Sequence, residues 1–160
     1  EKEAKLLRLF NNRSSLASII AYCLNSNHFH LLLQQTKDKG IERFMHKLGT
    51  GYTRYFNSKY NRSGALFQGT YKAVLIKSGY QLWHVSAYIN ANSEIHKISP
   101  ADKWPWSSYQ DYLGKRKGTL ANKNIVLKDF KSRKDYAGYV KEVIKDCQEI
   151  KEEIKKLQIE

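Results

Sequence analysis

Leu16 to Gln35 reads LASIIAYCLNSNHFHLLLQQ, and the reading of this stretch decides the fold. Leu16–Leu24 is a short apolar run, which its length favours as a buried strand over a helix. Asn25-Ser26-Asn27 is turn chemistry, and His28–Gln35 continues as a second strand, so the stretch predicts a β-hairpin. Upstream, Lys2–Asn11 reads as the end of a helix carrying Leu6, Leu7, Leu9 and Phe10. Downstream, Gly40 precedes a long amphipathic helix, Ile41 to about Tyr60. Its apolar stripe is Ile41, Phe44, Met45, Leu48, Tyr52, Tyr55 and Phe56, at helical spacing. Asn61–Gly64 ends that helix, and Ala65–Ile76 reads as a further strand, bulged at Gly69. Ser78-Gly79 opens another helix, about Tyr80 to Asn92, which turns Leu82, Val85 and Ile89 inward.

The order helix, strand, strand, helix, strand, helix becomes the split βαβ, ferredoxin-like plan if one strand precedes the first helix. That strand would fall before Glu1. The expected fold class is therefore α+β, a ferredoxin-like antiparallel sheet with helices and a C-terminal helical extension. From Ser93 the chain becomes irregular, with Pro100, Trp104, Pro105 and Trp106, then a short helical piece around Tyr109. Lys115–Gly118 is a basic loop. A final helix, about Lys134 to Leu157, repeats Tyr139, Val143, Cys147, Ile150, Ile154 and Leu157, too few positions to argue a coiled coil. Packing onto the domain is the preferred reading. Residues 1–113 group as one domain, and 114–160 as a basic loop and helical extension.

The chain has 160 residues, enough for one domain with a real core. Its 28 Lys and Arg against 15 Asp and Glu leave a formal charge of +13, so a polyanionic partner is expected, nucleic acid before membrane. A hydrophobic fraction of 41% and an aromatic fraction of 12% exclude a disordered chain. Leu16–Leu24 is far too short to span a bilayer. Cys23 and Cys147 lie far apart, without metal or redox spacing, and fit a reduced, cytoplasmic protein. Gly49-Thr50-Gly51 lacks the lysine of a phosphate loop, and no metalloprotease or serine-hydrolase motif is present.

His28 and His30 are two apart in the expected strand, so both imidazoles leave one face, with Phe29, Leu31 and Leu33 on the other as core. Such a pair is a natural half of a metal site, although taken alone a His-x-His pair in a strand is more often two ordinary histidines bonded locally. Tyr88 and Asn92 are four apart on one helical face, with His84 a turn earlier. The Asn offers a hard amide oxygen, and the Tyr a phenol that becomes nucleophilic once deprotonated. With eleven tyrosines in the chain, packing alone also accounts for Tyr88. Arg43, Lys47, Arg54, Lys59, Arg62, Phe67, Tyr71 and Lys72 interleave cations with rings, which suits single-stranded nucleic acid and equally a solvated basic face.

These segments resemble a known family. Ala21–Leu32, AYCLNSNHFHLL, is similar to the signature AYVxMPNHxHLL of the single-tyrosine HUH transposases, the bacterial insertion-sequence enzymes and their REP-associated relatives. Arg62–Gln68 resembles the family's RxGxxWQ, Ala87–Asn92 its YIHxNP, and Trp104–Tyr109 its WPWSSY, all in the family's order. The resemblance runs from about Leu16 to Leu113. It implies that His28 and His30 bind a divalent metal, Mg²⁺ or Mn²⁺, with Asn92 as third ligand. It further implies that Tyr88 is the nucleophile of a metal-dependent endonuclease, cleaving and rejoining single-stranded DNA through a 5′-phosphotyrosine. The implied partner is single-stranded DNA with hairpins or inverted repeats, and no membrane. The sheet edge and last helix leave a homodimer open. The departures are Asn25-Ser26 for the family's Met-Pro, and Asn90 and Ser93 for its His and Pro. The rival function is a nucleic-acid-binding protein that keeps the fold without the reaction.

Overall fold

A computed structural model describes residues 15–157. The expected helix over Lys2–Asn11 lies outside the described residues. The elements are β1 (Ala17–Leu24), β2 (Phe29–Gln35), α1 (Gly40–Lys59), α2 (Gly79–Ile95), α3 (Tyr109–Leu113), α4 (Asn124–Leu127) and α5 (Arg133–Leu157). The fold is α+β, with an antiparallel two-stranded sheet and a C-terminal helix, as expected. The chain divides into two compact units: the part up to Ser18 with Gln34–Val74, and Ile19–Leu33 with the chain from Leu75 onward.

The first unit is dominated by α1. Lys39 enters the helix in the left-handed region, at φ 50°. Gly40 follows because a Cβ there would strike the carbonyl oxygen of Leu16. The apolar stripe of α1 is partly open to solvent, with Leu48, Tyr52 and Tyr55 at 39%, 48% and 57% exposure and Ile41, Phe44, Met45 and Phe56 half-buried. The strand expected over Ala65–Ile76 is absent: the segment is irregular, with Val74 and Leu75 exposed. Its apolar residues carry β propensity, but a strand exists only through its ladder; Gly64 (φ 89°) stands just before the run and Gly69 interrupts it.

In the second unit α2 is the central element. Ser78 caps it, its hydroxyl accepting from the Gln81 N–H at 3.1 Å. The helix runs past Asn92 to Ile95, and every residue from Ser86 to Ser93 except Tyr88 is buried. It stops in a left-handed turn at Lys97 (φ 57°), where the Ile98 N–H donates to the Ser93 carbonyl and the Lys97 N–H to that of Glu94, a Schellman ending. The first half of α5 docks on this core through Tyr136, Val140 and Val143, while Ile150 and Ile154 face solvent. Packing is thus the observed arrangement, over half of the helix.

Two further corrections concern the hairpin. The fully buried residue of β2 is Leu32, which shares the histidines' face, whereas Phe29, Leu31 and Leu33 are half-buried. The core face is therefore the one expected to be polar, because Leu32 joins Ala87, Ile89 and Ala91 of α2. The irregular Trp104–Ser108 segment also pairs with β1. Leu24 N–H donates to the Trp106 carbonyl, Ser108 N–H to that of Tyr22, and Cys23 bridges Ser107 in antiparallel sense. Ser108 Oγ then donates to Asn90 Oδ1 at 2.6 Å, and Asn90 Nδ2 to the Tyr136 hydroxyl at 2.8 Å. Asn90, at the family's histidine position, is thus a buried link between three segments.

Candidate active site

The hairpin turn and the middle of α2 meet at a cluster of polar side chains. His30 is the second residue of β2, and His28 lies immediately before the strand. Their rings stand edge to face with centroids 5.1 Å apart, and the Tyr88 ring lies 5.9 Å from that of His30. Asn92, one turn beyond Tyr88, is fully buried, and its Oδ1 accepts from Asn25 Nδ2 at 2.6 Å. The same Asn25 nitrogen lies 3.0 Å from His28 Nε2. His28 Nδ1 is 2.7 Å from Asn27 Oδ1, an atom that only accepts, so Nδ1 carries the proton and Nε2 keeps its lone pair. His96, at the C-cap of α2, places its ring 5.4 Å from that of His28. The structure thus brings together His28, His30, Tyr88 and Asn92, with Asn25 and His96 beside them. His84 instead stacks on Tyr80.

A family model described as "Transposase IS200 like" matches residues 5–92, more than half of the chain. The chain belongs to the IS200-like transposase family. No curated protein and no solved structure gives a significant match. The span matched in this IS200-like transposase contains His28, His30 and Tyr88 and ends on Asn92, whereas Trp104–Tyr109 lies beyond it.

Among the described residues, no three His, Cys, Asp or Glu side chains gather as a metal site. A cation at this place would need an amide oxygen beside the imidazoles, and the chemistry of the donor set fits that need. His28 Nε2 and Asn92 Oδ1 are two lone-pair donors gathered about one group, the Asn25 amide nitrogen. The second imidazole is adjacent, and Asn27 fixes the first in the tautomer that metal-bound histidines use. Asn92 is buried, and its Nδ2 has no hydrogen-bond partner.

The electrostatics favour the neutral imidazole at His30 and His96. Burial lowers the His30 pKa, and the neighbouring His28 and His96 lower it further. Burial, Lys151 and His28 act in the same direction on His96. Tyr88 is shifted the other way: burial raises its phenol, Cys147 adds to the rise, and the Asn92 amide opposes it. Cys147 and Lys151 bring α5 to the edge of the cluster, where Lys151 Nζ donates to the Ile95 carbonyl at 3.2 Å.

The residues expected to hold nucleic acid all belong to the first unit. Arg43, Lys47 and Arg54 are exposed on α1, and Arg62, Phe67, Tyr71 and Lys72 on the segment after it. Phe67 is 39% exposed and Tyr71 45%, so neither is a core ring. Tyr52 lies 6.3 Å from both Tyr55 and Phe67, and the Arg62 guanidinium sits 5.6 Å over Phe56. The result is an exposed surface of rings and cations. Sequence reasoning misses Asn25 and His96. Asn25 has one signal, an amide standing where the family has Met, and it reads equally well as turn chemistry. His96 has only its helical spacing from Tyr88 and Asn92.

Proposed function

We propose that this IS200-like transposase is a metal-dependent enzyme that cleaves and rejoins single-stranded DNA through a 5′-phosphotyrosine on Tyr88. The observation that carries the reading is the gathering of His28 Nε2 and Asn92 Oδ1 about the Asn25 amide, beside a second imidazole whose ring lies edge-on to that of Tyr88. His28, His30 and Asn92 would hold a Mg²⁺ or Mn²⁺ ion, which when bound supplies polarisation of the scissile phosphate. Tyr88 Oη attacks the phosphorus in line. The Oη–P bond forms and the P–O3′ bond breaks, the phenolic proton leaves to solvent, and the 3′ oxygen takes a proton from water. The phosphotyrosine conserves the energy of the phosphodiester, so attack by another 3′-hydroxyl rejoins the strand without ATP.

Arg43, Lys47, Arg54, Arg62 and Lys72 would neutralise phosphates, while Phe67 and Tyr71 stack on unpaired bases. We read 1–113 as the catalytic part and 114–160 as an extension. Among the described residues no helix is long and apolar enough to cross a membrane. Full-length protein incubated with hairpin-bearing single-stranded DNA and Mn²⁺ should give an SDS-resistant shifted band. Tyr88→Phe should abolish the band and leave DNA affinity nearly unchanged. DNA binding without any adduct in the wild type would instead support the non-catalytic nucleic-acid-binding reading.

A further inference from the structure

The amide of Asn25 stands between two of the groups assigned to the cation. Its Nδ2 donates to Asn92 Oδ1 at 2.6 Å and lies 3.0 Å from His28 Nε2. An octahedral Mg²⁺ or Mn²⁺ site with bonds of about 2.1 Å sets adjacent ligand atoms about 3.0 Å apart. The Asn25 amide nitrogen therefore already stands near the separation of a neighbouring corner from each of the other two atoms. Only the element at one corner is wrong. An amide nitrogen has no free lone pair to give, whereas the oxygen on the same carbon does. Half a turn about the last side-chain bond exchanges the two. That rotation gives up the contact of Asn25 Oδ1 with the Cys23 thiol, a weak donor 3.6 Å away. The Asn25 N–H stays bonded to the His28 carbonyl at 2.9 Å, so the side chain turns without moving the hairpin.

We propose that Asn25 is a further cation ligand of this site. In the metal-free protein its amide nitrogen occupies the corner beside both His28 Nε2 and Asn92 Oδ1. When Mg²⁺ or Mn²⁺ enters, the amide turns and its oxygen takes the nitrogen's place. This rests on the reading of His28 and Asn92 as ligands.

The test is a Mn²⁺ titration of the full chain without DNA, with free Mn²⁺ read from its electron paramagnetic resonance signal. Asn25→Ala should bind Mn²⁺ about tenfold more weakly than wild type or worse. Asn25→Asp, the same shape with a charged oxygen, should bind at least as tightly as wild type. In ¹H–¹⁵N spectra the Asn25 side-chain amide, assigned by its absence in Asn25→Asp, should move when Mg²⁺ is added. Should Asn25→Ala not fold, the Asp variant and the amide shift decide. Unchanged or tighter binding in Asn25→Ala overturns the proposal, as does weaker binding in Asn25→Asp or an unmoved amide. Retained His28-dependent binding with an indifferent Asn25 sinks this proposal alone. A wild type that binds Mn²⁺ no better than His28→Ala sinks the metal reading with it.

Discussion

Arg116→Met should be among the most destabilising single changes available outside the candidate site. Asp111 is 1% exposed, and Arg116 grips its carboxylate from two sides, Nε to Oδ1 at 2.7 Å and Nη2 to Oδ2 at 2.8 Å. The Gly118 N–H adds a third bond at 3.1 Å. The same guanidinium donates to the carbonyls of Pro105 and Ser107 and to the Tyr22 hydroxyl. Removing it strands a buried carboxylate, at a cost of about 3–5 kcal/mol. At roughly 2–4 °C per kcal/mol for a chain of this size, the melting temperature should fall by about 6–20 °C at pH 7. Burial pushes the Asp111 carboxyl up, but the hydrogen bonds and charge of Arg116 outweigh it and hold it below the usual carboxylate range. The pair's contribution is therefore present above about pH 4 and lost as pH falls through the lowered value. Without Arg116 burial dominates, so the penalty should shrink toward acid as the carboxyl takes a proton. Adding Asp111→Asn to Arg116→Met should recover much of the loss. Thermal melts of wild type, Arg116→Met and the double variant at pH 7 and pH 4.5 measure all of this. An Arg116→Met protein melting within about 2 °C of wild type at pH 7 would refute the reasoning, because a dry, unpaired carboxylate cannot be that cheap.

Tyr136→Phe leaves Asn90 Nδ2 buried without its acceptor, and chemical denaturation should show a loss of about 1–3 kcal/mol. Substituting Arg54, Arg62 or Lys72 should flatten the dependence of DNA affinity on salt, with the logarithmic slope changing by about 0.7–0.9 for each phosphate left without its cation. Phe67→Ala should narrow the preference for single strand over duplex by about 1–3 kcal/mol and leave that slope alone. An unaltered preference would remove Phe67 from the binding surface. The initial rate of adduct formation should climb between pH 7 and pH 9, because the raised Tyr88 pKa leaves little phenolate at neutrality. A flat profile would show that phenol deprotonation does not limit the step. On the acid side, the lowered His30 pKa means that the neutral imidazole's contribution to stability is complete above about pH 6.5 and is lost as pH falls through the folded value. Melting curves between pH 7.5 and pH 5 follow this directly, and His30→Gln should lessen the slope.

Local signals carry the hairpin, α1 and α2, since each has a run of the right length closed by turn residues or a cap. What fails needs knowledge of neighbours. Ala65–Ile76 looks like a strand residue by residue, yet a strand is defined by what it pairs with. Polarity points to the wrong face of β2, because α2 lies over the side that carries His30 and Leu32, and burial follows the covering element. Ser93 suggests the end of a helix by propensity, whereas tertiary burial carries α2 a turn further. Periodicity pairs His28 with His30 and Tyr88 with Asn92, and it is the family resemblance that joins the two pairs into one candidate site. Asn25 is not legible, since nothing local distinguishes a turn amide that stays in solvent from one that folds back over its neighbours.

The Trp104–Ser108 segment has a consequence for self-association. A sheet edge with free N–H and carbonyl groups is a template on which another chain can lay a strand. Along β1 that template is already used. Asn122 donates to the Ile19 carbonyl, Tyr112 to that of Ile20, Ser108 exchanges bonds with Tyr22, and Leu24 is held by both Trp106 and the Trp104 indole. A second copy or an extended peptide would have to peel off a segment that Arg116 pins from beneath. Edge-to-edge growth along this side of β1 is closed, and a homodimer must be built from other surfaces.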